Sequence, residues 1–390
     1  MKRFFGFLCL IALLPAFCLP AAGVELDLAG KSAVLMDAAT GTVIYEHNSH
    51  EPLAPASVTK VMTMLLIMEA IDGGKIGWED MVTASEAAAA KGGSQIYLKV
   101  GESMSVTDML KSIAVSSAND CACAMAEHIA GSESAFVERM NKRAAELQMN
   151  ETHFVNCTGL DDAPDADEHL TSAYDIAIMS RELIVNHPDI KKFTTIWMDT
   201  VRNGAFGLSN TNKLVRFYSG ATGLKTGFTA AAGYCLSATA QRDGMELIAV
   251  VMGAKTSGER NAACKALLDY GFANFSLIDP GLEAVPKVPV KLGSAQDVEL
   301  ELGENGNLLI DKGKKGTVTT EIRAEPFTTA PVAKGAKLGT LTIRSGDEVL
   351  RELPLVAKEQ VERVTFGQLF VKILRRVAMA KEVTAQGASE

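Results

Sequence analysis

Two strand-like pairs stand at opposite ends of a block of helical stretches, and this arrangement limits what the chain can fold into. Residues 32–36 and 42–45 flank a turn at Ala39-Thr40-Gly41, and residues 234–240 and 245–252 flank Arg242-Asp243-Gly244. Both read as hairpins. Between them, residues 58–70, 106–129, 134–147 and 172–184 repeat apolar side chains at three- and four-residue spacing, the period of a helix with a buried face. Strands at both ends with helices between predict an α+β fold over residues 25–278, one antiparallel sheet packed by helices.

Two further zones follow. Residues 279–358 show no helical pattern but many short alternating runs, such as 298–302, 316–322 and 337–343, separated by turn residues. They predict a small all-β sandwich. From 359 to 390, Phe366, Leu369, Phe370, Ile373, Leu374 and Val377 share one helical face, and Lys372, Arg375, Arg376 and Lys381 occupy the rest. No acid lies between Thr365 and Lys381. This predicts a C-terminal amphipathic helix that attaches reversibly to an anionic membrane surface; docking on the protein itself is the alternative.

At the other end, Lys2 and Arg3 precede the apolar run 4–14, which Pro15 interrupts and Ala21-Ala22-Gly23 follows. A spanning helix needs roughly 20 apolar residues. The shorter run therefore predicts a cleavable signal peptide over residues 1–23 and an exported protein on the outer side of the cytoplasmic membrane. Phe17, bulky where a small residue is required, argues against lipoprotein processing at Cys18. Removing Lys2 and Arg3 takes two positive charges from the formal −9 and leaves −11, a balance that disfavours nucleic acid as a partner. Five cysteines remain, Cys121, Cys123, Cys157, Cys235 and Cys264, without the spacing of a disulfide framework or a zinc site. They read as small buried hydrophobes.

Three short motifs carry the chemistry. In Ser57-Val58-Thr59-Lys60, at the start of an apolar helix, serine and lysine share a face. A partly desolvated lysine amine near other cations is neutral enough to take a hydroxyl proton. Alone, such a pair is more often a helix cap beside a surface lysine. Ser117-Ala118-Asn119 offers a second hydroxyl for proton relay and an amide for a substrate carbonyl or amide, although an isolated Ser-x-Asn is usually a turn. In Lys225-Thr226-Gly227, a cation and a hydroxyl on an edge strand suit a carboxylate, and Gly227 admits a close peptide backbone. The backbone N–H groups of Ser57 and Phe228 would then form an oxyanion hole.

The order and type of these motifs are those of penicillin-interactive serine enzymes. With Ala33-Val34-Leu35-Met36-Asp37-Ala38-Ala39-Thr40-Gly41, Pro55-Ala56-Ser57-Val58-Thr59-Lys60, Gly223-Leu224-Lys225-Thr226-Gly227 and Gly253-Ala254-Lys255-Thr256, nearly the whole mature chain resembles the low-molecular-mass D-alanyl-D-alanine carboxypeptidases. The resemblance implies Ser57 as acylated nucleophile, Lys60 as base, and Ser117 and Asn119 as the second motif. Lys225 and Thr226, aided by Arg260 in Glu259-Arg260-Asn261, would bind the substrate's terminal carboxylate; an ordinary surface ion pair is the plain alternative for Arg260. Peptidoglycan pentapeptide stems are the implied substrates and β-lactams the inhibitors, with no metal or organic cofactor.

Ala118 departs from the glycine common at its position and suggests a shift in rate or preference. The acidic stretch Asp161, Asp162, Asp165, Asp167 and Glu168 lacks a calcium-loop pattern and reads as a solvated loop. His169 resembles a recurrent structural position of the family. Asn150-Glu151-Thr152 and Asn156-Cys157-Thr158 fit a glycosylation pattern, which means little in the bacterial protein that the resemblance implies. A β-lactamase on the same fold would need a deacylating glutamate of the Glu-x-x-Leu-Asn kind, which is not seen. Endopeptidase action on cross-links and a non-catalytic wall-binding homologue remain as further alternatives.

Overall fold

The computed structural model describes residues 26–162, 164–281, 285–367 and 370; the predicted signal segment and most of the predicted C-terminal helix lie outside these. The N-terminal hairpin forms as β1 (Ser32–Asp37) and β2 (Val43–His47). Three later strands, β3 (Ala221–Thr229), β4 (Gly233–Arg242) and β5 (Met245–Ala254), complete an antiparallel sheet in the order β2-β1-β5-β4-β3. The two hairpins thus join through β1 and β5, which pair Val34 with Val250 and Met36 with Ile248.

Every residue of β1 is buried. Alternate side chains of a strand face opposite sides of its sheet, and here both sides are covered. Val34, Met36, Ile248, Val250 and Met252 belong to the larger, helical core. Ala33, Leu35, Leu247, Ala249 and Val251 pack in a second core with Leu267, Leu268 and Phe272 of the last long helix, Ser257–Asn274.

At the centre of the larger core lies α1 (Lys60–Asp72), whose Val61, Met62, Met64, Leu65, Ile67 and Met68 are all inaccessible to solvent. A helix apolar all round is a buried one. Ser57 is not inside it: residues Ala56–Thr59 form a tighter 3₁₀ turn that leads into α1. The predicted helix over 106–129 is likewise two helices, α2 (Val106–Ser116) and α3 (Asn119–Ala130). Ser117 breaks them apart in the left-handed conformation, φ 63° and ψ 30°, which few residues other than glycine adopt. Two more helices complete the layer, α4 (Glu133–Glu146) and α5 (Ala173–Asn186).

Residues after Val288 build a four-stranded sheet, in spatial order Leu300–Leu302, Glu348–Ala357, Lys337–Ser345 and Val318–Ala324, and a three-stranded one. They enclose Val288, Val298, Leu341, Ile343, Leu353 and Leu355, the apolar interior expected of an all-β unit. Phe275–Ile278 pairs antiparallel with Leu308–Asp311, so a ladder bridges the residues on either side of position 278. Among the described residues no helix is long and apolar enough to cross a membrane.

Candidate active site

The Ser57 turn and β3 meet at Gly227, and Thr211 ties the end of α2 to β3. Lys60 is fully buried, and its Nζ donates to Ser57 Oγ at 2.9 Å and to the Thr158 carbonyl at 2.8 Å. Burial pulls its pKa down to about 7, against weaker opposing pulls from Cys157 and Asp120. An amine in that range is half neutral at neutral pH and able to accept a proton.

The acceptor for Lys60 is supplied by a loop outside the three motifs. Asn156 Oδ1 takes hydrogen bonds from the Thr158 N–H, the Thr158 hydroxyl and the Gly159 N–H. This folds 156–159 tightly under the Ser57 turn, where Gly159 has φ +80° and a Cβ would meet the Ala56 carbonyl oxygen at 1.8 Å. The pattern that matched a glycosylation acceptor is thus a buried structural turn.

His169 supports the same turn from behind. Its Nδ1 accepts the Val155 N–H at 3.1 Å, so the proton sits on Nε2, which donates to Thr59 Oγ1 at 2.7 Å. Thr59 in turn donates to the Ala56 carbonyl. Burial, followed by the repulsion of His153, lowers the His169 pKa to about 4 and keeps the ring neutral.

Ser117, at 4% exposure, lies at the left-handed break with its hydroxyl making no hydrogen bond to Ser57 or Lys60 among the described residues. Asn119 donates its amide NH2 to the Gly92 carbonyl at 2.8 Å and its backbone N–H to Ser94. Its Oδ1 is buried without a partner among the described residues. Next to it, the Asp120 carboxylate accepts the backbone N–H groups of Ile96 and Leu98 and ties down the loop that Asn119 touches. Ala118 is fully buried in the helical core. Its methyl group therefore packs among core side chains, between Ser117 and Asn119 in the chain.

On β3, Lys225 is 1% exposed and donates to the Thr226 carbonyl at 2.9 Å. Burial, then the charges of Lys60 and Arg260, depress its pKa well below the usual lysine value. Thr226 donates its hydroxyl to Thr211 Oγ1 at 2.6 Å. Gly227 does admit a close backbone, but that backbone is the protein's own: a Cβ there would stand 2.5 Å from the Pro55 carbonyl and 3.1 Å from the Ser57 nitrogen. Phe228 is exposed and stacks on Tyr234 at 4.2 Å. Arg260 is buried, donates to Asn261 and the Cys235 carbonyl, and lies over the Tyr234 ring. It makes no ion pair among the described residues, unlike the surface pair considered for it.

Other sequence features fall away from this centre. Asp161, Asp162, Asp165, Asp167 and Glu168 are exposed, and the five cysteines are free and buried.

A serine hydroxyl against a near-neutral lysine, faced by further buried cations, is the equipment of a serine acyl-transferase that uses lysine as its base. Comparison with known proteins gives the narrower assignment. Residues 20–256 match the family described as D-alanyl-D-alanine carboxypeptidase, peptidase S11, and residues 272–363 match the C-terminal domain of penicillin-binding protein 5. The D-alanyl-D-alanine carboxypeptidase DacF of Bacillus subtilis is 47% identical over 348 residues, 88% of each chain. The crystal structure of penicillin-binding protein 5 from Haemophilus influenzae superposes with a TM-score of 0.73 at 30% identity, covering 87% of this chain and 99% of that one. Penicillin-binding protein D2 of Listeria monocytogenes, solved in its ampicillin-bound form, covers 64% of this chain and all of its own at TM-score 0.59 and 31% identity. The chain belongs to the S11 family of D-alanyl-D-alanine carboxypeptidases.

Proposed function

We propose that the nucleophile of this serine-type D-alanyl-D-alanine carboxypeptidase is Ser57 and that Lys60 is its base. The enzyme removes the terminal D-alanine from peptidoglycan pentapeptide stems. Neutral Lys60 takes the Ser57 proton as Oγ bonds to the carbonyl carbon of the penultimate D-alanine. The oxyanion is received by the backbone N–H groups of Ser57 and Phe228. The C–N bond breaks, and the leaving amine collects a proton from Lys60 by way of the Ser117 hydroxyl. Water then cleaves the ester, releasing the shortened stem and restoring the serine.

Asn119 Oδ1 accepts a stem N–H, which answers its unpartnered state. Lys225, Thr226 and Arg260 hold the terminal carboxylate, with Gly227 keeping β3 close to the Ser57 turn. The observation that carries this reading is the buried Lys60 amine, 2.9 Å from Ser57 Oγ with its pKa near 7. β-Lactams, which present a carboxylate beside a strained amide, acylate the same serine.

The remaining parts fit an enzyme working on the wall: a signal peptide over 1–23, a catalytic unit over 25–278, a β-sandwich over 279–358 and a basic amphipathic tail over 359–390 that rests on the outer face of the cytoplasmic membrane. Mass spectrometry after benzylpenicillin treatment tests the chemistry. A single adduct on Ser57, absent from Ser57→Ala, is expected together with D-alanine release from a diacetyl-lysyl-D-alanyl-D-alanine peptide. An adduct that survives Ser57→Ala would overturn it.

A further inference from the structure

Thr211 belongs to none of the three motifs, yet it touches one of them and the end of the helix that leads into another. Its backbone N–H donates to the carbonyl of Val115, two residues before Ser117, at 3.1 Å. Its hydroxyl receives the Thr226 hydroxyl at 2.6 Å. The segment that carries it is framed by two buried asparagines. Asn210 donates to the Ile196 carbonyl and accepts the Asn212 N–H. Asn212 donates to the Gly223 carbonyl on β3 and accepts the Leu214 N–H. Asn210 and Asn212 are 5% and 1% exposed, whereas Thr211 between them is exposed. Two side chains thus fix the backbone and leave one hydroxyl against Thr226.

We infer that Thr211 is a positioning residue for the substrate carboxylate, acting through Thr226. This rests on the reading of Thr226 as a carboxylate ligand. A hydroxyl has one proton to give, and in the unliganded protein Thr226 gives it to Thr211. A carboxylate only accepts, so its arrival turns the Thr226 proton toward the substrate. Thr211 then turns its own proton onto Thr226 Oγ1. The exchange leaves neither hydroxyl unpaired, and the second bond polarises the first and strengthens it. Without Thr211, the Thr226 rotor is unrestrained before binding and unsupported after it.

The test compares wild type, Thr211→Val and Thr211→Ser on two peptides, one ending in D-alanyl-D-alanine and one in the corresponding carboxamide. For the free carboxylate, Thr211→Val is expected to lose about five- to tenfold in kcat/KM, chiefly through KM, as befits a hydrogen bond serving a charged group. Thr211→Ser restores it, and the residual rate on the carboxamide is unchanged. Equal losses on both peptides, or failure of serine to rescue, would reduce Thr211 to a structural role and overturn the inference; so would an unchanged KM. Benzylpenicillin labelling separates the two levels of the argument. A wild-type protein that takes no adduct sinks the catalytic reading and this inference together, while normal labelling with unaltered Thr211→Val kinetics sinks this inference alone.

Discussion

Gly159 lies so close to the Ala56 carbonyl that a Cβ would stand 1.8 Å from its oxygen, and the same glycine holds φ at +80°. The Thr158 carbonyl that receives Lys60 and the turn that carries Ser57 are locked together by this contact. Gly159→Ala adds a clash to an unfavourable backbone conformation. It should destabilise the protein by about 3 kcal/mol or more and slow acylation. Thermal melts and the rate of benzylpenicillin adduct formation check both; a variant with wild-type values would mean the turn is free to move.

Acylation should depend on pH through Lys60. A base must be unprotonated, and with a pKa of about 7 the neutral amine falls away below neutrality. The acylation rate is therefore expected to rise with pH from 5 to about 7 and to level off above. Lys60→Arg, which stays charged, should cost roughly 10²- to 10⁴-fold. Stopped-flow or gel-based measurement of adduct formation across pH gives the profile, and a flat profile would remove Lys60 as the base.

His169 makes the fold sensitive to acid. In the unfolded chain it binds a proton near pH 6.5, in the fold only near 4. Between those values the unfolded chain holds more protons, so stability rises with pH and is lost as pH falls through this window. The loss amounts to roughly 3 kcal/mol by pH 4. Urea unfolding at pH 6.5 and 4.5 should show it, and His169→Gln, which has no proton to gain, should show a shallower dependence.

Ala118 offers the opposite outcome, stability without activity. Its methyl is buried in the helical core, so Ala118→Gly should lower stability by about 1–2 kcal/mol. The kcat/KM for D-alanine release should stay within about twofold. A larger change in kcat/KM at unaltered stability would return Ala118 to the substrate cleft.

The motif residues stand out in the sequence because the chemistry proposed for them needs them side by side: Ser57 and Lys60 three apart, Lys225 and Thr226 adjacent. The sheet was legible because both hairpins carry their own turn residues. What escaped depends on partners far away in the chain. Thr158 meets Lys60 across 98 positions, and nothing in Asn156-Cys157-Thr158 announces a lysine acceptor. Thr211 and Thr226 are 15 apart in different elements. The break at Ser117 was hidden because α2 and α3 both bury apolar residues, so the helical period runs on through it. No glycine marks the left-handed turn. Arg260 was found through resemblance, since its burial without an acidic partner is visible only in three dimensions.

The pairing of β1 with β5 has a consequence in time. β1 is synthesised almost first, buries all six of its residues, and finds its long-range partner only in Met245–Ala254. Contacts so distant in sequence make folding slow, because the intervening loop must close before they form. Until residue 254 has emerged, the central sheet lacks its middle strand, and any shorter chain leaves one edge of β1 unpaired and the Leu35 face of the sheet uncovered. A nascent chain of this enzyme therefore cannot complete its central sheet through most of its synthesis, and truncation before residue 254 should yield aggregate where a chain that also carries the covering helix Ser257–Asn274 stays soluble.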